Sequence, residues 1–378
     1  MKTSSAISLF IAKNGIFAAL VLLIALFAIL NPNFFTLGNA QNILLQSAEL
    51  GLIVIPLAFL VMSGSLDLSV GSVASAAAVT SAMTMAATGN TLLGLAVALG
   101  LGAVAGAING FLIAYMRLNP IVVTLGFLSI WGGFAQLITG GKTVQRSSLP
   151  EDFRAIGTFS IGPVPLQIVL LVLVVALGWY FLRRNKLGKE VLAIGGNERA
   201  AHLMGINVPL RRFQLFIASG VAAAIAGVML TAKVQSASPV IGSGMELQAL
   251  TVVLLGGVAF EGGMGRISGV VAGLLFFKVL SNGLVFLQVS PFVQTILVGA
   301  TLVVAVALDT SIQRMLRQAW AQLGKRSAQG GDQPQDPDRS PGPDGAAAPV
   351  PTTDTTETTG SDDHPGQSAA SSTRGGQA

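Results

Sequence analysis

Side chains that could support metal, redox or phosphate chemistry are scarce in this sequence. It has no cysteine and only two histidines, His202 and His364, which are too few for a multi-ligand metal site. The nearest approach to a phosphate-binding loop is Gly-Gly-Lys-Thr at residues 140–143, but a Walker motif requires a glycine where Gln136 stands. The sequence therefore predicts no metal site, no cofactor and no hydrolysis of ATP by this chain.

Asp67 is the first of several polar residues that interrupt long apolar stretches. It lies with Ser69 in the segment Ser-Gly-Ser-Leu-Asp-Leu-Ser-Val-Gly-Ser, residues 63–72, shortly after Pro56. An ionised carboxylate beside hydrocarbon is costly, so Asp67 must either cap the following helix or face a water-filled cavity. We treat Asp67 and Ser69 as candidate residues of a pathway or gate.

Two further candidate sites lie later in the chain. Residues 256–266 are rich in glycine, which permits tight turns and close backbone approach, so Glu261 and Gly263 are candidates for a gate at the cytoplasmic side. Lys278 lies near the middle of the next apolar stretch, with Asn282 one turn later on the same helix face. That face should avoid lipid, and it either lines a pathway or packs against another subunit.

The elements that must position these residues are membrane-spanning helices. Apolar residues form 52% of the chain and charged residues 10%, with a mean hydropathy of +0.71, whereas soluble domains carry about 25% charged residues. About 20 apolar helical residues cross a bilayer core. Ten segments qualify or nearly qualify, which predicts an all-α polytopic membrane protein with about ten transmembrane helices: 14–30, 43–62, 66–87, 92–115, 121–138, 164–182, 213–231, 245–260, 267–287 and 292–308.

Lysine and arginine residues determine the predicted orientation. With ten spans both termini lie on one side of the membrane, and fifteen Lys and Arg residues fall on that side against four on the other. The positive-inside rule then places both termini in the cytoplasm of a bacterial cell, with the chain in the plasma (inner) membrane as a multi-pass protein. These positions favour a membrane explanation of the basic charge over binding of nucleic acid.

The end of the chain differs from the rest. Residues 327–378 carry a formal net charge of −6, whereas residues 1–326 carry +11. The segment is rich in Pro, Gly, Ser, Thr and Asp, and it has almost no apolar surface whose burial would offset the entropy of ordering. The sequence therefore predicts a transmembrane domain at 1–326 and a disordered, acidic, low-complexity cytoplasmic tail at 327–378.

Two Asn-Gly pairs suggest an internal repeat. Asn109 begins a pair that Pro120 follows, and Asn282 begins another that Pro291 follows. In the predicted topology the two copies run in opposite directions through the membrane, so the halves form an inverted repeat, as in many transporters. The alternative is that Asn-Gly and Pro mark interfacial turns twice. We include Asn109 and Asn282 among the candidate pathway residues.

The most informative polar stretch lies between the sixth and seventh predicted spans, at residues 186–212. Asn197 is a good helix cap and Gly205 a natural helix stop, so a helix of about two turns is predicted between them, lying across the membrane face. An ordinary surface loop is the alternative. The candidate residues of this loop are Gly195, Gly196, Asn197, Glu198, Ala200, Ala201 and Gly205.

Five short segments occur in the order found in one known family. They are Leu-Asp-Leu-Ser-Val-Gly-Ser at 66–72, Asn-Pro at 119–120 with Thr-Leu-Gly at 124–126, Gly-Gly-Asn at 195–197, Leu-Leu-Gly-Gly at 254–257 and Asn-Gly at 282–283. Through them the chain resembles, over about residues 39–309, the permeases of ribose-, xylose- and autoinducer-type sugar importers of the ATP-binding-cassette superfamily. It departs from that family at residues 64–66 and at Lys278, where a small residue is usual.

The resemblance implies a translocation pathway for a sugar or sugar-like solute. The implied partners are cytoplasmic ATPase subunits docked on the 195–205 loop, an extracytoplasmic solute-binding protein, and a second permease copy or paralogue in the lipid bilayer. ATP hydrolysis would belong to the ATPase, so this chain is not expected to be an enzyme. The alternative is a secondary transporter that couples solute to protons through Asp67 or Lys278.

Overall fold

The computed structural model describes residues 2–307, with side chains from residue 15 onward. Within this range nearly all of the regular secondary structure is helical. A 3₁₀ turn at Arg146–Ser148 and a hairpin of β1 (Ser160–Ile161) and β2 (Val164–Pro165) lie between residues 139 and 166. The helices are α1 (Lys2–Leu30), α2 (Leu37–Met62), α3 (Val70–Thr88), α4 (Thr91–Ala114), α5 (Pro120–Thr139), α6 (Glu151–Thr158), α7 (Leu166–Arg184), α8 (Lys186–Gly196), α9 (Glu198–Leu203), α10 (Val208–Val234), α11 (Met245–Leu255), α12 (Ile267–Phe286) and α13 (Pro291–Ala307).

Seven of the described helices are long and apolar enough to cross a membrane, namely α2, α3, α4, α5, α7, α10 and α12. Three more apolar helices are shorter: the Gly15–Leu30 part of α1, α11 and α13. The prediction of an all-α polytopic membrane protein is confirmed. The total of ten spans stays a prediction, and the tail at 327–378 lies outside the described residues.

Two predicted spans are several residues longer than the observed helices, because polar or glycine residues bound those helices. The span predicted at 66–87 begins instead at Val70, since residues 63–69 are non-helical. The span predicted at 245–260 is helical only from Met245 to Leu255, an 11-residue helix. Gly257, with φ +77°, takes a left-handed conformation that an α-helix cannot continue through.

The centre of the bundle is α10, which packs against α2, α3 and α4. Glycines allow the closest of these approaches. A Cβ atom on Gly220 of α10 would overlap the carbonyl oxygen of Gly102 and lie 2.9 Å from the Gly106 nitrogen, both in α4. Small residues at four-residue spacing let helix backbones meet in lipid, where no hydrophobic effect drives helices together. The main buried cluster extends from this centre along α2, α11 and α12.

The outer helices leave wide apolar surfaces uncovered. In α5 only Thr124 and Ala135 are buried, and large apolar side chains such as Leu137, 80% exposed, project outward. Exposed apolar surface of this extent is typical of a protein that meets lipid or another subunit. In the part of the chain that the structure describes, α5 packs mainly on α3 and, to a lesser degree, on α4.

The bundle has two distinguishable ends. Helix α7 starts at Leu166, directly after the β1–β2 hairpin, and finishes at Arg184, directly before α8. We call these the hairpin end and the α9 end. Helix α10 begins at the α9 end and finishes beside α6, where Gly157 lies against the carbonyl of Ala232.

Candidate functional site

Asp67 holds together a buried polar cluster. Its Oδ1 accepts hydrogen bonds from the Ser69 N–H at 3.0 Å and the Ser69 hydroxyl at 2.6 Å, and its Oδ2 accepts one from the Ser219 hydroxyl at 3.0 Å. The Asn109 Nδ2 donates to Ser69 Oγ at 2.8 Å. These four side chains, which we call the Asp67 cluster, join the non-helical segment 63–69 to α4 and α10.

The Asp67 cluster is closed to solvent. Asp67 and Asn109 are each 1% exposed, and Ser69 and Ser219 are as deeply buried. A carboxylate this deep must have hydrogen-bond donors on both oxygens, and Asp67 has them. Asp67 holds the N–H and hydroxyl of Ser69, the residue immediately before α3, and so fixes the position at which the chain enters α3, but it accepts no hydrogen bond from the first turn of that helix. Its role in a pathway or gate stays a prediction.

Three segments meet through glycine at the α9 end. The Gly263 N–H donates to the Met62 carbonyl at 2.8 Å. A Cβ on Gly195 would overlap that carbonyl and the Gly263 nitrogen, and Gly262 lies against Gly64 and Gly195. We call this contact of the α2, α8 and α11–α12 connections the glycine junction. The sequence assigned Gly195 to a docking loop and Gly263 to a gate, and the structure brings them into contact.

The predicted short helix between Asn197 and Gly205 is present as α9. The Asn197 Oδ1 accepts a hydrogen bond from the Ala200 N–H at 2.9 Å, and Gly205 ends the helix with φ +80°. Ala201 is buried beneath the helix, whereas Ala200 is exposed. Beyond His202, two apolar residues project outward, Leu203 at 80% exposed and Met204 at 83% exposed. Helix α9 therefore presents an apolar edge at the end of the bundle.

Ion pairs attach α8 and α9 to the start of α10. The sequence did not predict α8, whose Glu190 is largely buried and pairs with the Arg211 guanidinium at 2.5 Å. Glu198 of α9 pairs with Arg212 at 2.7 Å, and Arg212 also donates to the Ser63 carbonyl at 3.3 Å. Exposed ion pairs contribute little stability. The pair between buried Glu190 and Arg211, together with the glycine junction, therefore holds α8 in place, and α9 follows directly from α8.

Lys278 faces the interior of the described bundle. It interacts electrostatically with Glu49 of α2 and Lys233 of α10, and Lys233 Nζ lies 2.7 Å from Glu49 Oε1. Asn282, one turn along α12, is also buried, whereas Glu261 is exposed in the α11–α12 connection. Glu49 is not among the site residues predicted from the sequence, although an acidic residue in the middle of an apolar stretch is a visible signal of an internal polar contact.

A known protein family matches most of the described chain. It is described as the branched-chain amino acid transport system / permease component, and it matches residues 39–306, from α2 to α13. The chain belongs to this permease family. The permease is therefore a membrane component of a transport system and not an enzyme, as the sequence predicted.

Curated relatives share about a third of their residues with the permease. The ribose import permease protein RbsC of Escherichia coli (strain K12) is 35% identical over 78% of this chain and 92% of its own length. In the same organism, the D-allose transport system permease protein AlsC is 34% identical over 81% of this chain and 94% of its own. The L-arabinose transport system permease protein AraH is 36% identical over 80% of this chain and 90% of its own length. No solved structure matches the permease.

These matches decide between the two predicted transporter classes. The resemblance to sugar importers of the ATP-binding-cassette superfamily is confirmed, and no match supports the proton-coupled alternative. With its apolar helices, the permease is a multi-pass protein of the inner membrane. The side on which its termini lie stays a prediction.

Proposed function

We propose that the permease forms the translocation pathway of an ATP-driven importer for a monosaccharide or a similarly hydroxylated solute. The observation that carries this proposal is the set of named relatives, which are permease proteins for ribose, D-allose and L-arabinose and align with about four-fifths of the chain. An extracytoplasmic binding protein delivers the solute to the hairpin end. Most selection among sugars then takes place in that binding protein.

In this proposal the ATPase subunits dock at the α9 end. The exposed Leu203 and Met204 supply an apolar edge that a groove in a partner can bury, and the rest of α9 is held by its cap and by the burial of Ala201. Because Gly195 touches both Met62 and Gly263, a push on α9 is transmitted by direct backbone contact to α2 and to the α11–α12 connection. Docking and gating are thereby mechanically linked.

A second permease copy or paralogue would cover the face that α5 leaves open. Helix α5 exposes both apolar and small residues along most of its length, so it suits contact with another subunit across a pathway. With ten spans and cytoplasmic termini, the α9 end lies in the cytoplasm, where the ATPase is found.

The proposed inverted repeat pairs α4 and α5 with α12 and α13, and by extension the preceding α3 with α11. Both α3 and α11 follow a non-helical segment that enters the bundle, and α4 and α12 both carry the Asn-Gly pair, at Asn109 and Asn282. Discontinuous helices in corresponding positions of two halves are typical of transporters built from inverted repeats. If the two halves exchanged their contacts, one end of the pathway would open while the other end closed.

The proposed function is tested by transport in proteoliposomes. The permease is reconstituted with the ATPase and the binding protein encoded by neighbouring genes, and uptake of radiolabelled ribose, D-allose and L-arabinose is measured. We expect accumulation of at least one of these sugars that requires ATP and both partner proteins, and that persists when a protonophore abolishes any pH gradient.

The control is the same preparation without ATPase. It should show no accumulation, because a pathway without an energy source can only equilibrate solute. Uptake by the permease alone, driven by an imposed pH gradient, would contradict the proposal. So would a complete system that hydrolyses ATP but accumulates none of the three sugars.

A further inference from the structure

A polar cavity separate from the Asp67 cluster lies between α3, α5 and the start of α11. Its volume is about 230 Å³. A cavity of this volume holds several waters. The polar lining residues are Ser72, Ser75, Ser129, Gln136, Ser243 and Glu246.

Glu246 is the only charged residue of that lining, and it is not among the site residues predicted from the sequence. It lies in the first turn of α11, where its Oε1 accepts a hydrogen bond from the Gly244 N–H at 3.1 Å. No salt bridge to Glu246 forms within residues 15–307. A carboxylate in an apolar helix without a counter-ion requires further hydrogen-bond donors, and a molecule bound in the cavity could supply them.

Glycine and serine shape the wall around this carboxylate. A Cβ on Gly71 would overlap Glu246 Oε2, so glycine at that position leaves the space that the carboxylate occupies. Ser75 Oγ accepts a hydrogen bond from the Gly242 N–H at 2.9 Å, which fixes the segment before α11 against α3. The carboxylate is therefore held by the fold at the border of the cavity.

The opposite wall is a stripe of small and polar residues along α5. Gly126, Ser129, Gly133 and Gln136 of α5 recur at alternating spacings of three and four and so share one helix face, and Gly140 follows immediately after the helix at the next such spacing. All five are exposed, and Cβ atoms on the three glycines would meet nothing within 4 Å. This face continues the cavity along the helix, and it offers hydroxyl and amide groups without side-chain obstruction.

We propose that this cavity binds hydroxyl groups of the solute during passage, with the Glu246 carboxylate accepting hydrogen bonds from two neighbouring hydroxyls. Ser129 and Gln136 contact the solute from the other wall. The proposal rests on the proposed function, since only a hydroxylated solute supplies such donors. Charge-assisted hydrogen bonds from hydroxyls to a carboxylate are short and strong, whereas the neutral serine and glutamine contacts are weak enough for the solute to leave again.

The first test uses the absence of cysteine from the native chain. Ser129→Cys is reconstituted with ATPase and binding protein and exposed to a hydrophilic methanethiosulfonate reagent, and labelling of the permease is followed by mass spectrometry. We expect labelling that abolishes uptake, and labelling that is about tenfold slower when ribose, D-allose or L-arabinose is being transported. Ser81→Cys, a buried α3 position outside the cavity, is the matched control and should stay unlabelled with uptake intact.

The second test changes the carboxylate. Glu246→Gln keeps the shape and one acceptor oxygen but removes the charge, so uptake should fall about tenfold, while stimulation of the ATPase by loaded binding protein persists. Unlabelled Ser129→Cys, labelling that no transported sugar slows, or unchanged uptake by Glu246→Gln would each overturn the proposal. If the unaltered permease transports the sugar while the variants show these results, only the cavity proposal fails. If the unaltered permease transports none of the three sugars, the proposed function fails with it.

Discussion

At Gly195 the requirement for glycine comes from contact and not from backbone angles. A methyl group there would overlap the Met62 carbonyl oxygen and the Gly263 nitrogen, which are hydrogen-bonded to each other. We expect Gly195→Ala to lower the stability of the permease by about 1–3 kcal/mol, since overpacking forces backbone to shift. Differential scanning fluorimetry in detergent measures this, and ATPase stimulation should fall in parallel.

The adjacent glycine provides a matched control. Gly196 is also at the end of α8, but a Cβ there would meet nothing within 4 Å. Gly196→Ala should therefore leave both the melting temperature and ATPase stimulation close to those of the unaltered permease. Equal effects of the two substitutions would show that helix propensity, and not the glycine junction, accounts for the loss at Gly195.

Asp67 allows a second residue-scale prediction, which separates geometry from charge. In Asp67→Asn the amide oxygen can still accept from the Ser69 N–H and hydroxyl, so stability and uptake should be largely kept. Asp67→Ala leaves those donors and the buried Ser219 hydroxyl without an acceptor, which should cost about 1–3 kcal/mol. Thermal unfolding of both variants is the measurement. An Asn variant as unstable as the Ala variant would show that the charge itself is required.

At the scale of elements, α9 depends on its surroundings. A helix of six residues is not stable alone, so its cap, the burial of Ala201 and the attachment to α10 must hold it. Its exposed apolar edge is then available to a partner. We expect Met204→Asp to reduce co-purification of the ATPase at least about tenfold, because a charge would be buried in an apolar contact, while the yield of membrane-inserted permease stays unchanged.

The control for α9 lies at the other end of the bundle. Phe159, 53% exposed beside the β1–β2 hairpin, is a comparably projecting apolar residue. Phe159→Asp should leave ATPase co-purification as it is. Normal co-purification and normal uptake in Met204→Asp would remove Met204 from the proposed docking surface.

At the scale of the whole molecule, the helical bundle and the acidic tail should be separable. Residues 327–378 lack apolar periodicity, so we expect a chain ending at Ser327 to insert in the membrane and to transport solute normally. Uptake per inserted permease, determined by quantitative immunoblot of membranes, is the comparison. Loss of uptake at equal insertion would assign the tail a regulatory or docking role.

The sequence by itself determined the local features and the family. Long apolar stretches predict membrane-spanning helices without knowledge of how those helices pack, because backbone N–H and C=O groups in lipid must form hydrogen bonds within their own helix. The cap at Asn197 and the stop at Gly205 are likewise properties of a few neighbouring residues, and α9 forms between them. Five short motifs in order were sufficient to identify the permease family.

Only the tertiary structure decided which distant residues meet. Ser219 donates to Asp67 across 152 positions of the chain, and Gly195 touches Gly263, while Glu246 reaches the cavity between α3 and α5. Such pairs depend on how whole helices pack, and sequence periodicity describes one helix at a time. The span predicted at 245–260 was too long for a local reason instead, since it was drawn through Gly257 although the glycines of 256–266 already indicated a turn.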